Sequence, residues 1–120
     1  MECLQRLAVA NSTAEKGVAL VYDRNRRPEE FHWREWQERL AGQIQGGLAE
    51  LDRIVPGEGW SGSDGPEGGC PDGGDIAAVI AWQFVEATNP WLLEAGYPRL
   101  AALAGRGMDV EAIAATKPVV

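Results

Sequence analysis

The chain has one histidine, His32, and two cysteines, Cys3 and Cys70, in 120 residues. A single imidazole removes most metal and acid–base chemistry: there is no His–Cys cluster at zinc spacing and no HExxH pair. Two thiols without a secretion signal make no disulfide framework, and they read as free cysteines of a reducing cytoplasm. A nucleophile assembled from His32 with Cys70 or Ser61 would lack any nucleophile motif, so no residue is assigned a catalytic role. Positive charge is also scarce. Lys and Arg number 11 against 18 Asp and Glu, for a net charge of −7. That balance excludes the basic footprint of a nucleic-acid binder and the polybasic segment of a membrane anchor. No apolar run approaches the ~20 residues of a transmembrane helix. No segment alternates convincingly with the period of a strand.

What is present is helical periodicity and unevenly placed glycine. Hydrophobic residues make up 45% of the chain, enough for a packed core. Eight of its 15 glycines fall between Pro56 and Gly74, so a glycine-rich loop over 56–74 divides two helical blocks. In the first block Leu4, Leu7, Ala14, Val18, Val21 and Tyr22 recur at helical spacing, with one missing beat at Asn11. Arg27-Pro28 stops that helix. The next helix carries the clearest stripe: Trp33, Trp36, Leu40, Ile44, Leu48, Leu51 and Val55. Gly42, Gly46 and Gly47 lie inside it, each at a cost of roughly 1 kcal/mol in helix propensity. Gly42 and Gly46, four apart, are expected to lie under a crossing helix.

The second block opens on a capping box. Asp72 is placed to accept from the Asp75 amide, and Asp75 to reach back to the Asp72 amide. Both carboxylates suit the positive end of a helix dipole. Ile76, Val79, Ile80, Trp82, Phe84 and Val85 make this helix apolar on more than one face, hence central, until Asn89-Pro90 breaks it. A short helix follows over Tyr97 to Ala104, and a last one over Met108 to Ala115. The expectation is a single all-α domain over 1–120, a bundle of about five helices.

Three further features have a functional and a structural reading. Gly57, Gly59 and Gly62 match GxGxxG, but they follow a helix where a dinucleotide fingerprint needs a strand, so they read as loop. Arg24, Arg26 and Arg27 form the one basic cluster; it suits either an anion or the negative end of a helix, and the helix end is favoured. Of five tryptophans, Trp33, Trp36 and Trp82 read as core, while Trp60 and Trp91 sit at loop-like positions.

Several segments, in order and in register, resemble the C-terminal helical half of bacterial glutathione S-transferases. Val21-Tyr22-Asp23-Arg24-Asn25-Arg26-Arg27-Pro28-Glu29-Glu30 is similar to that family's "VYERRLRPEE". Trp36, Leu40, Ile44, Leu48 and Leu51 resemble its next long helix, and Asp75-Ile76-Ala77 its "ADIAV" element. Tyr97-Pro98-Arg99-Leu100 and Ala112 to Pro118 resemble its closing motifs. Two departures stand out: Glu111 replaces a helix-starting proline, and the loop before Asp75 is longer and richer in glycine.

The resemblance implies a dimer-forming, cytoplasmic protein whose aspartate at 75 serves folding. It also implies that glutathione is bound, and its thiol activated, by a thioredoxin-like domain that precedes this half. These residues hold no βαβ pattern, so the chain is expected to be a fragment or truncated product with no cofactor of its own. It would be inactive in glutathione conjugation alone, and would pair with a second copy or a thioredoxin-like partner. Carried over by position, Tyr22 would stand near the co-substrate pocket, and Asn11 near the glutathione side of the dimer. The alternative is a non-catalytic protein–protein interaction module.

Overall fold

The structure, a computed structural model, describes residues 2–26, 34–57, 59–62 and 70–110. Four α-helices make up most of it: α1 (Glu2–Arg26), α2 (Arg34–Ile54), α3 (Gly73–Thr88) and α4 (Pro98–Gly107). A 3-10 turn, Pro90–Leu93, joins α3 to α4. Among the described residues there is no strand, only an isolated antiparallel bridge between Gly62 and Cys70. The expected stops at Arg27-Pro28, the expected core residue Trp33, and the last expected helix from residue 111 onward lie outside the described residues. Met108 to Val110, where that helix was to begin, turn back on the end of α4.

The contacts define the topology. Along α1 and α3, Arg6 meets Asp72, Gly17 faces Phe84 and Arg24 bonds Asn89, so the two helices run parallel. Along α1 and α2, Thr13 faces Gly47 and Asp23 accepts from Gln37, so that pair is antiparallel. The stripe of α2 is buried as its spacing predicts, with Leu40, Ile44, Leu48, Leu51 and Val55 all closed to solvent. Its first described beat is corrected: Trp36, in the opening turn of α2, is exposed. Val79, Val85, Leu92, Leu100 and Leu103 complete the core from α3, the turn and α4.

The face of α1 is a larger correction. The periodicity of Leu4, Leu7, Val18 and Tyr22 marks a real stripe, but Leu4, Val18 and Tyr22 are exposed. The buried face is Arg6, Ala10, Thr13, Gly17, Leu20 and Asp23, mostly small or polar. Two neighbouring helices approach α1 so closely that large side chains are excluded there. A Cβ on Gly17 would come within 2.9 Å of the Phe84 ring, and one on Gly47 would overlap the Thr13 hydroxyl. The close approach in α2 is therefore at Gly47; Gly42 and Gly46 face open space.

Helix α4 has a distant cap. Its N-cap residue Tyr97 holds a left-handed backbone (φ 45) and supplies no side-chain cap. Asp52 on α2 accepts from the Leu100 amide at 2.9 Å instead, satisfying a donor that the first turn leaves free. No described helix is long and apolar enough to cross a membrane.

Candidate functional site

The polar side chains converge where the N-termini of α1 and α3 meet. Asp72 and Asp75 form the capping box. Asp72 Oδ1 accepts from the Asp75 amide at 2.9 Å, and Asp75 Oδ2 accepts from the Asp72 amide at 3.2 Å. Asp75 also accepts from the Ser61 amide and the Ser61 hydroxyl, each at 2.7 Å. Arg6 enters from α1, donating to Asp72 Oδ2 at 2.6 Å and lying 3.6 Å from Asp75 Oδ1. Cys3 lies one turn earlier, and its Sγ accepts from the Gly74 amide at 3.3 Å. Gly74 is required there: a Cβ would come within 2.8 Å of the Cys3 carbonyl.

Two carboxylates and one guanidinium leave one negative charge, which the amide end of α3 balances. Asp75 is fully buried, and both of its oxygens are engaged by Ser61, Asp72 and Arg6. Asp75 accepts three hydrogen bonds and faces a guanidinium, so the cluster ties a loop and two helices together. Arg6 was not among the residues singled out by sequence, and Ser61 was weighed there only as a nucleophile, not as a partner of Asp75. The one signal for Arg6 was a long cation on a helical line with Ala10, Thr13 and Gly17, a face too small and polar to register as core.

The Tyr97 phenol is pushed up, first by burial and then by the charge of Asp52. Glu50 is lowered and Arg53 raised by their own exposed hydrogen-bonded pair. Among the described residues no group of three His, Cys, Asp or Glu is placed to hold a metal ion. Ser61 is bound to Asp75 and Cys70 is paired through its backbone to Gly62, while His32 lies outside the described residues.

The glycine-rich segment is tied down at its described ends. Arg106 donates to the Gly59 and Pro56 carbonyls at 2.9 and 3.1 Å, and its guanidinium lies 5.9 Å from the centre of the Trp60 ring. Arg99 donates to the Val55 carbonyl. Carbonyls held by arginines present the wrong polarity for a phosphate cradle. Of the basic cluster, Arg24 donates to the buried Asn89 side chain and so joins the far ends of α1 and α3. The Arg26 side chain and Arg27 lie outside the described residues.

Tyr22 and Asn11 fall together on the outer face of α1, in line with Leu4 and Val18. Counted in sevens, Leu4, Asn11 and Val18 take one seam position, and Leu7, Ala14 and Val21 the other. Tyr22 stands beside this seam, 62% exposed. The stripe runs about 27 Å from Leu4 to Tyr22 at the helical rise per residue. Leu7, Ala14 and Val21 are half-buried, and Leu4 and Val18 stand open to solvent.

No family model matches this chain, and no curated protein matches it. Solved structures do. A glutathione S-transferase from Methylobacterium radiotolerans, solved in complex with glutathione sulfonate, superposes on 98% of this chain with a TM-score of 0.82 at 24% identity. The match covers 53% of that enzyme, so this chain spans about half the length of the transferase it resembles. Similarity at this identity establishes the fold. That fold is the helical C-terminal half of the glutathione S-transferases, as the sequence motifs indicated.

Proposed function

We propose that this chain is the helical half of a glutathione S-transferase-like protein and works by docking a second body along α1. The observation that carries the reading is the exposed apolar seam of that helix. Leu4 and Val18 are 65% and 55% exposed on a face with heptad spacing, where a lone soluble helix would carry polar residues. The occupant is a second copy of the chain or a thioredoxin-like domain. Glutathione enters the reading only through such a domain. The chain alone is therefore inactive in glutathione conjugation and carries no cofactor. Its two free cysteines fit a reducing cytoplasm.

The structural use of Asp75, whose two oxygens hold Ser61 and the start of α3, favours a second reading, a non-catalytic interaction module. The experiment combines a conjugation assay with sedimentation of the purified chain, alone and with a thioredoxin-like domain of the transferase family. Self-association or a complex with that domain, without turnover by the chain alone, supports the main reading. Turnover by the chain alone overturns the inactivity. A chain that stays monomeric and ignores the thioredoxin-like domain removes the docking role.

A further inference from the structure

Between α3 and α4 runs a groove of about 240 Å³, away from the polar cluster and from the α1 seam. One wall is Trp82, Gln83 and the Glu86 carboxylate on α3; the other is Ala101, Ala104, Gly105 and Met108, one face of α4 and its end. The α4 wall is flat because its residues are small. A Cβ on Gly105 would meet nothing within 4 Å, so the space beside it is open.

Gln83 lies beneath this groove, only 3% exposed, with Glu86 at the rim beside it. Its Nε2 donates to the Met108 thioether at 3.6 Å, a weak acceptor, and its Oε1 is buried with no hydrogen-bond partner. With the carboxamide turned the other way, one polar end would still lack a strong partner. A buried amide left unpaired costs free energy that an apolar side chain of the same shape would not. What covers the carboxamide is Met108, itself 44% exposed and free to turn about three bonds.

We propose that this groove is a binding slot for a flat aromatic molecule carrying one N–H or O–H donor. The ring lies between the Trp82 indole and the small face of α4, and the donor takes the vacant Gln83 Oε1 as the Met108 thioether swings aside. Trp82 supplies stacking area, Ala101, Ala104 and Gly105 set the thickness, and Gln83 selects for the donor.

The test uses the intact chain with two probes, indole and 1-methylindole, which share a ring plane and differ in the donor. Titration by calorimetry or ligand-observed NMR is expected to show indole binding about fivefold tighter, the worth of one neutral hydrogen bond. Gln83→Leu brings the two affinities together. Gly105→Leu fills the slot at an open helical position; it abolishes binding of both probes while the melting temperature holds or rises. Met108→Ala tightens both. Failure of indole to bind the native chain, equal affinities of the native chain for the two probes, or binding undiminished by Gly105→Leu would each overturn the proposal.

Discussion

The Thr13 hydroxyl occupies the space that a side chain on Gly47 would need. Thr13 is buried and already donates to the Val9 carbonyl at 2.8 Å, so it cannot turn away without losing that bond. Gly47→Ala therefore forces α1 and α2 apart. Overpacking of this kind costs about 1–3 kcal/mol, and the ~1 kcal/mol gained in helix propensity offsets only part of it. At Gly42 and Gly46 nothing opposes a methyl group, so alanine there stabilises by up to ~1 kcal/mol each. Urea denaturation of the three variants is expected to give shifts of opposite sign at Gly47 and at the other two. Equal shifts would show that the helix crossing lies elsewhere.

Asp75 concentrates the stability of the α1–α3 junction. Replacing it with alanine frees the Ser61 amide and hydroxyl, uncaps the Asp72 amide and leaves buried Arg6 with one partner. Breaking a buried pair this way costs about 3–5 kcal/mol, a large part of a small domain's stability. Asp72→Ser keeps an oxygen for the Asp75 amide and loses only the bond to Arg6, so its cost is distinctly smaller. Denaturation midpoints of the two variants check the order.

Tyr97 gives the chain an alkaline limit. Burial, then the charge of Asp52, raise its phenol above the ordinary value of 10.0. The folded state thus holds that proton more tightly than the unfolded chain. The stabilisation is complete below pH 10.0 and is lost as pH climbs through the raised value. Tyr97→Phe is expected to flatten the alkaline fall in stability. Asp52→Asn still offers an oxygen to the Leu100 amide, and it brings the phenol's titration, followed by ultraviolet absorbance, back toward the ordinary value.

On the outer face of α1, Asn11 interrupts an otherwise apolar seam. A polar residue at such a position fixes register at the expense of affinity. Asn11→Val is expected to tighten self-association and Val18→Glu to abolish it. Both sites are exposed, so each variant's unfolding free energy stays within about 0.5 kcal/mol of the native chain. Sedimentation equilibrium measures the first effect and thermal unfolding the second.

The helices were legible in the sequence where apolarity and burial coincide. In α2, Leu40 through Val55 are both the hydrophobic residues and the buried ones, so one stripe reports the core. In α1 the two part company. Close helix contacts at Thr13 and Gly17 select small residues, and the large apolar residues lie on the other side. Periodicity therefore found the exposed face and not the core face. The capping box was readable because Asp72 and Asp75 act over three residues. Arg6, Ser61 and Asp52 act across 66, 14 and 48 residues, distances at which spacing carries no signal.

The small bridge between Gly62 and Cys70 separates two jobs of the glycine-rich segment. Each residue donates its amide to the other's carbonyl, at 2.9 and 3.2 Å, so the span between them closes at a fixed neck. A Cβ on Gly62 would overlap the Cys70 carbonyl, and so the neck requires glycine. Upstream of it Ser61 holds Asp75, and just downstream Asp72 opens α3. The neck thus fixes the distance along which Ser61 on one side and Asp72 on the other can meet at the start of α3.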